Sequence, residues 1–147
     1  MKPALTSICL ALLAAGSLSA CGEKSEPDLK SLASQYRQQQ EQAILGDYSG
    51  TLHQKGEKPF TVEATVGSLN EPSKNPVHYT SIDCSGTWTY TKLEGGTYFF
   101  RERISKGKSE RCKGTGTVKL IPQGANQYGY VFRGGGVTSE GTLQRSG

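Results

Sequence analysis

The chain predicts an all-β domain from residue 46 onward, preceded by a signal peptide and one N-terminal helix. Three observations carry this. From Gly46, glycine, threonine and tyrosine rise, and eight short runs alternate apolar and polar residues at regular spacing. Glycine- and proline-containing turns separate the runs. No long helical pattern interrupts them, so sequence neighbours should pair antiparallel. Eight short strands in about a hundred residues fit a small barrel or a curled two-layer sheet.

Residues 1–20 read as a targeting signal rather than as structure. Lys2 supplies the charged start. Ala4 to Leu18 is an apolar run of signal-core length, too short to span a bilayer. It ends in Leu18-Ser19-Ala20-Cys21. This stretch resembles the lipobox of bacterial lipoproteins. The resemblance implies a diacylglycerol thioether on Cys21 and cleavage on its amino side. An ordinary secretory signal cut after Ala20 is the other reading. Two or more acyl chains make a stable anchor, so a membrane is an expected partner. Gly22 follows the cysteine. In enteric bacteria an Asp there would favour the inner membrane, so Gly suggests an outer-membrane protein facing the periplasm.

Residues 21–45 form a lipidated tether and a helix, and residues 46–147 form the β domain. The helix is expected over Pro27–Leu45. Ser25 or Glu26 can cap it, Pro27 suits its first turn and Gly46 its C′ position. Leu29, Leu32, Ala33, Tyr36, Ala43 and Ile44 make a thin apolar stripe broken by Gln40. Such a helix is either a spacer that lifts the domain off the membrane or a docking surface for a partner.

The expected strands are Tyr48–His53, Phe60–Ser68, Val77–Asp83, Gly86–Leu93, Thr97–Ile104, Gly116–Ile121, Tyr128–Arg133 and Gly141–Arg145. Glu94-Gly95-Gly96 supplies the positive φ of a tight hairpin. A four-residue element recurs: Ser49-Gly50-Thr51-Leu52, Ser85-Gly86-Thr87-Trp88, Thr115-Gly116-Thr117-Val118 and Glu140-Gly141-Thr142-Leu143. Glycine inside a strand marks a bend or a close backbone approach. Four of them should curl the sheet, which is a packing role.

The stretch from Cys84 to Thr117 is the centre of the domain. It holds the only tryptophan, Trp88, and the densest positive charge: Lys106, Lys108, Arg111 and Lys113. Of the four cysteines, Cys9 leaves with the signal and Cys21 carries lipid. Cys84 and Cys112 remain, an even pair for an oxidising compartment. In a plain meander they would lie two strand spacings apart, about 9.5 Å. A disulfide needs its Cα atoms within about 7 Å. Cys112 should therefore leave the ladder, with the basic loop folding back to Cys84. Closing this loop should stabilise the domain by roughly 3–4 kcal/mol. A metal site joining these cysteines to His53 and His78 is the rival, but the spacings match no compact zinc pattern.

The order of these residues carries a second resemblance. Cys84-Ser85-Gly86-Thr87-Trp88, Arg101-Glu102-Arg103-Ile104 with Gly107, Cys112, Gly116-Thr117-Val118-Lys119-Leu120 and Gly141-Thr142-Leu143-Gln144-Arg145 are its landmarks. Together they resemble the small extracytoplasmic domain of some actinobacterial membrane protein kinases and of secreted or lipid-anchored stand-alone proteins. The resemblance implies an all-β, disulfide-bonded extracytoplasmic domain that senses or binds, and it carries no catalytic residue over to this chain. Lipid-anchored inhibitors of c-type lysozyme are a weaker, architectural likeness. This chain is basic where a partner of a cationic lysozyme would be acidic.

The residues themselves give little chemistry. His53 and His78 stand in no motif, and no hydrolase, metalloprotease, phosphate-loop or dinucleotide fingerprint occurs. The net charge of +4 falls by one when Lys2 is removed, too little to call for nucleic acid. Glu102 shares a strand face with Tyr98, Phe100 and Ile104. If that face is the core, the carboxylate needs a cationic or hydrogen-bonded partner. It is either a structural pair or a polar group in a barrel pocket that orients a ligand. The four cations are either a binding loop for an anionic envelope component or protein, or a solvated hairpin tip. The expectation is a non-catalytic binding or sensing protein of the cell envelope, not an enzyme, with no cofactor and no metal. The alternative is an inhibitor or immunity-type lipoprotein that blocks an envelope-active enzyme such as lysozyme.

Overall fold

The computed structural model describes residues 28–107, 112 and 114–146. The signal region, Cys21 and the expected helix start at Pro27 lie outside them. One helix, α1 (Leu29–Gln42), leads into β1 (Gly46–Gln54), β2 (Phe60–Val66), β3 (Pro76–Tyr79), β4 (Cys84–Glu94), β5 (Thr97–Lys106), β6 (Thr115–Pro122), β7 (Gln127–Gly134) and β8 (Val137–Ser146). Each strand pairs antiparallel with the next, and β8 pairs back onto β1. Of the two expected architectures, the chain adopts the closed barrel. Closure leaves no open sheet edge for another chain to extend.

An eight-stranded barrel is just wide enough for side chains to fill. Leu52, Trp88, Phe100, Val118, Leu120 and Leu143 all have 0% exposure and fill it. The alternation follows the sequence: β5 buries Tyr98, Phe100 and Glu102 and exposes Arg101 and Arg103. On its outer face Lys92 and Lys119 stand over the Phe99 ring, 5.1 and 5.3 Å from its centroid.

The four recurring glycines face inward, each two residues before a buried apolar residue. Gly50 lies opposite Leu143, and Gly141 lies opposite Leu52, across the seam that closes the barrel. A Cβ on Gly50 would come within 2.8 Å of Leu143 Cδ2, and one on Gly141 within 2.9 Å of Leu52 Cδ2. Each glycine thus seats the other strand's leucine. Gly116 seats the Phe132 ring in the same way, and Gly86 takes the backbone of β5. The packing role expected for these glycines is what they have.

Several element boundaries differ from expectation. The helix is capped by Asp28, whose side chain accepts from the Lys30 amide at 3.3 Å, and it ends at Ala43 rather than at Gly46. β3 stops at Tyr79, because a turn over Thr80–Asp83 must return Cys84 to pair with Tyr79. Asp83 sits there at φ 53. β2 stops at Val66, because buried Asn75 takes the next two amides, Gly67 and Ser68, each at 2.9 Å. β8 begins earlier, at Val137, because Gly135 and Gly136, at φ 57 and 78, make a tight hairpin after β7.

Candidate functional site

The barrel has two unlike ends. Tyr48, Tyr98 and Tyr128 stand near the starts of β1, β5 and β7 and gather at one of them. Ile44, with 0% exposure, closes it. The last turn of α1 is tied here by barrel side chains. The Tyr98 hydroxyl donates to the Gln40 carbonyl at 2.6 Å, Arg145 Nη1 to the Ala43 carbonyl at 2.6 Å, and the Tyr48 hydroxyl to the Ile44 carbonyl at 2.5 Å. The Gln40 carbonyl also accepts from the Ala43 amide at 3.1 Å, so Tyr98 adds a second donor to it; the Ala43 and Ile44 carbonyls lie past the last helical residue, and the barrel supplies each a donor. The Arg145 cation also suits the negative end of the helix dipole. Tyr90 donates to Glu41 at 3.2 Å, and burial, with Glu41 adding to it, pushes its phenol up to about 12. Beyond this turn α1 buries none of its residues. Leu29, Leu32 and Tyr36 are 82%, 43% and 63% exposed.

The opposite end carries the disulfide and a cleft. Cys84 and Cys112 are joined with their Cα atoms 6.0 Å apart, and Cys112 stands in the β5–β6 connection, outside the ladder as expected. Gly107, at φ 87, places its backbone against Asp83 and the Cα of Cys84, so the connection turns back over β4 where it leaves β5. Lys106 is exposed at the end of β5, paired across to Ser85. Lys108, Arg111 and Lys113 lie outside the described residues.

The cleft has a volume of about 30 Å³. The disulfide, Phe60, Ile82, Ile104, Phe132 and Val137 form its apolar wall. Gln54, Ser139, Tyr79, Tyr130 and Glu102 are its polar lining, and Ser139 donates to Gln54 at 2.8 Å. Glu102 is 3% exposed. Trp88 sits directly opposite it across β4 and β5 and donates its indole N–H to Glu102 Oε2 at 2.8 Å. The Tyr79 hydroxyl donates to the same oxygen, and Tyr130 lies 2.9 Å from Tyr79, oxygen to oxygen. Of the two partners the sequence allowed Glu102, the structure supplies hydrogen bonds. Among the described residues no Lys, Arg or His pairs with it.

Burial pushes the Glu102 carboxyl above its ordinary value, against the pull of its two hydrogen bonds. Burial likewise holds the Tyr79 and Tyr130 phenols well above theirs, and negative charge on Glu102 would raise both further. The cluster holds one carboxyl, two phenols and an indole. Among the described residues no second carboxylate and no imidazole joins it, and the groups present are suited to binding and orienting a ligand. His78 stands apart, on the outer face, 3.8 Å from Asp83. Among the described residues no three His, Cys, Asp or Glu side chains come together.

Sequence reasoning singled out Glu102 but missed Tyr79, Trp88 and Tyr130 as its partners. Strand alternation puts all three inside. Only the register of β4 on β5 and the closure of the barrel bring them to one carboxylate. A second concavity, of about 530 Å³, lies where α1 meets the barrel and is walled by Gln35, Gln39, Asn70 and Tyr90 among others. None of its lining side chains is buried. No protein-family model matches the chain, and no curated protein or solved structure does.

Proposed function

We propose that this chain is a lipid-anchored protein of the bacterial cell envelope whose barrel is a non-catalytic binding module, with the Glu102 cleft as its site. One observation carries the reading. A barrel filled almost entirely with apolar side chains keeps one carboxyl inside, at a cleft, with donors on one oxygen only. A buried carboxylate without a cation is costly, and an apolar residue at this position would avoid that cost. Two further features support it. The anchor expected at Cys21 would reach the barrel through α1, at the end opposite the cleft, so the cleft would face away from the bilayer. The extracytoplasmic kinase domains that the sequence resembles imply the same kind of role. In this reading α1 is a spacer, the protein faces the periplasm from the outer membrane, and Lys106, Lys108, Arg111 and Lys113 meet an anionic envelope component or the acidic face of a protein.

Two experiments test it. Cys21→Ser should release the protein from the detergent phase and abolish the acylated N-terminal peptide in mass spectrometry. An unchanged partition would sink the anchor. The parent and Glu102→Gln should then be compared for capture from envelope extract at low and high salt. The reading expects material held by the parent and lost by the variant. Equal capture by both would remove the cleft as the site. A single enzyme captured stoichiometrically and inactivated would instead favour the inhibitor reading.

A further inference from the structure

The donors and acceptors at the floor of the cleft are not balanced. Trp88 Nε1 and the Tyr79 hydroxyl both donate to Glu102 Oε2. Tyr79 has one proton and uses it there, so with Glu102 ionised the contact to Tyr130 must run from the Tyr130 hydroxyl to the Tyr79 oxygen, 2.9 Å away. Two hydrogens of the cluster therefore go to Oε2 and the third, from Tyr130, goes to the Tyr79 oxygen, so none is turned to Oε1. Glu102 Oε1 accepts no hydrogen bond among the described residues, and no side-chain oxygen sealed from solvent is left unsatisfied. Oε1 therefore opens onto the cleft that Glu102 lines. The floor offers an arriving group an acceptor and no donor. With Glu102 ionised, an anionic group finds no donor at that carboxylate, whereas a hydrogen-bond donor finds an acceptor.

Charge and size narrow the donor further. The buried carboxyl has neutral partners only, and a cation is the group that completes its pairing. Phe60, Tyr79, Tyr130 and Phe132 line the cleft, and aromatic walls favour cations. A volume of about 30 Å³ is roughly twice what one water requires, so it admits about two non-hydrogen atoms. A compact ammonium suits so small a space better than a planar guanidinium. We propose that the Glu102 cleft is a receptor for one primary ammonium group, which donates to Oε1 while its adjoining methylene packs among the rings. This rests on the cleft being the binding site. The same tip is carried by a lysine side chain of a protein partner and by an ethanolamine headgroup.

Trp88 is the only tryptophan, so its indole N–H gives one resonance that reports directly on Glu102. The folded protein is titrated at constant pH and ionic strength with ethylammonium, with ethanol as a neutral donor of similar size, and with tetramethylammonium as a cation without N–H. Ethylammonium should move the Trp88 indole resonance saturably, the other two should not, and Glu102→Gln should weaken the response at least tenfold. Val137→Phe, which fills the cleft and keeps the carboxyl, should abolish it as well. Nα-acetyl-lysine amide and glycerophosphoethanolamine then separate the two sources by which binds the more tightly. If ethanol moves the resonance as far as ethylammonium, or Glu102→Gln responds like the parent, the ammonium inference is overturned while the cleft remains a site. If no probe moves it, the ammonium inference falls; loss of envelope capture by Glu102→Gln remains the separate measure of the cleft.

Discussion

Gly86→Ala should destabilise the barrel more than any other single-methyl addition on β4. The added Cβ would strike the Arg103 carbonyl oxygen and lie 2.8 Å from the Ile104 Cα, both backbone atoms of β5. Ordinary contact begins near 3.4 Å, so the two strands must separate, and no rotamer change can relieve them. The position is a register shift in the β4–β5 ladder, where Ser85 pairs with Lys106 and Gly86 with Ile104. A β-bulge of this kind draws the neighbouring backbone in. Overpacking of a well-filled core costs about 1–3 kcal/mol. Loss of unfolded-state freedom returns about 0.4–1 kcal/mol where the new residue fits, so the net cost stays near 1–2 kcal/mol. For a domain of this size each kcal/mol lowers Tm by roughly 4–8 °C. Differential scanning calorimetry should therefore show a fall of roughly 5–15 °C. Gly124→Ala is the control, since nothing lies within 4 Å of its added Cβ. A Gly86→Ala protein that melts within about 2 °C of the parent would show that the close approach is not what fixes glycine here.

Other outcomes follow from the two ends of the barrel. The folded-state pKa of Glu102 is raised, so its contribution to stability is full below the unfolded-state value near 4.3 and is lost as pH rises through the folded-state value. Glu102→Gln should therefore match the parent in urea at pH 4 and exceed it at pH 7; a gap that narrows as pH rises would refute the sign. Replacing both Cys84 and Cys112 with Ser opens a closure of 28 residues and should cost about 3–4 kcal/mol in denaturant midpoint analysis. Tyr98→Phe with Arg145→Ala removes one donor from each of two carbonyls at the end of α1, each bond worth about 0.5–1.5 kcal/mol. Amide exchange should quicken in residues 39–43 and stay unchanged in the core strands.

The fold was legible because its signals are local. Alternation along Thr97–Ile104 showed which face of β5 goes inside, and Glu94-Gly95-Gly96 named its turn; both glycines do sit at positive φ, 56 and 75. The recurring glycines announced tight packing before any partner was known. Closure was not legible. Whether β8 returns to β1 depends on curvature accumulated over all the strands, and the fit of Leu52 to Gly141 and of Leu143 to Gly50 appears only once they meet. The ends of β2 and β3 failed for another reason. Asn75 takes two amides that alternation alone would have left in a strand, and its power to do so comes from full burial at 1% exposure, which no pattern of neighbours announces.

The site divides in the same way. Glu102 stood out because a carboxyl on an apolar face breaks a local rule, and that breach is visible in five residues of sequence. Its partners broke none. Trp88 and Tyr130 are ordinary inward aromatics of β4 and β7, and Tyr79 is an ordinary inward aromatic of β3. Each is amphipathic, a ring with one donor at its edge, so each serves the apolar core and can still turn a hydrogen to a carboxylate. Leucine at these three positions would be apolar but would leave Glu102 without a hydrogen-bond donor. The choice of tyrosine and tryptophan there is therefore what makes the buried acid tolerable. Because Tyr79 and Trp88 both donate to Oε2 and Tyr130 pairs with Tyr79, none of the three hydrogens is turned to Oε1.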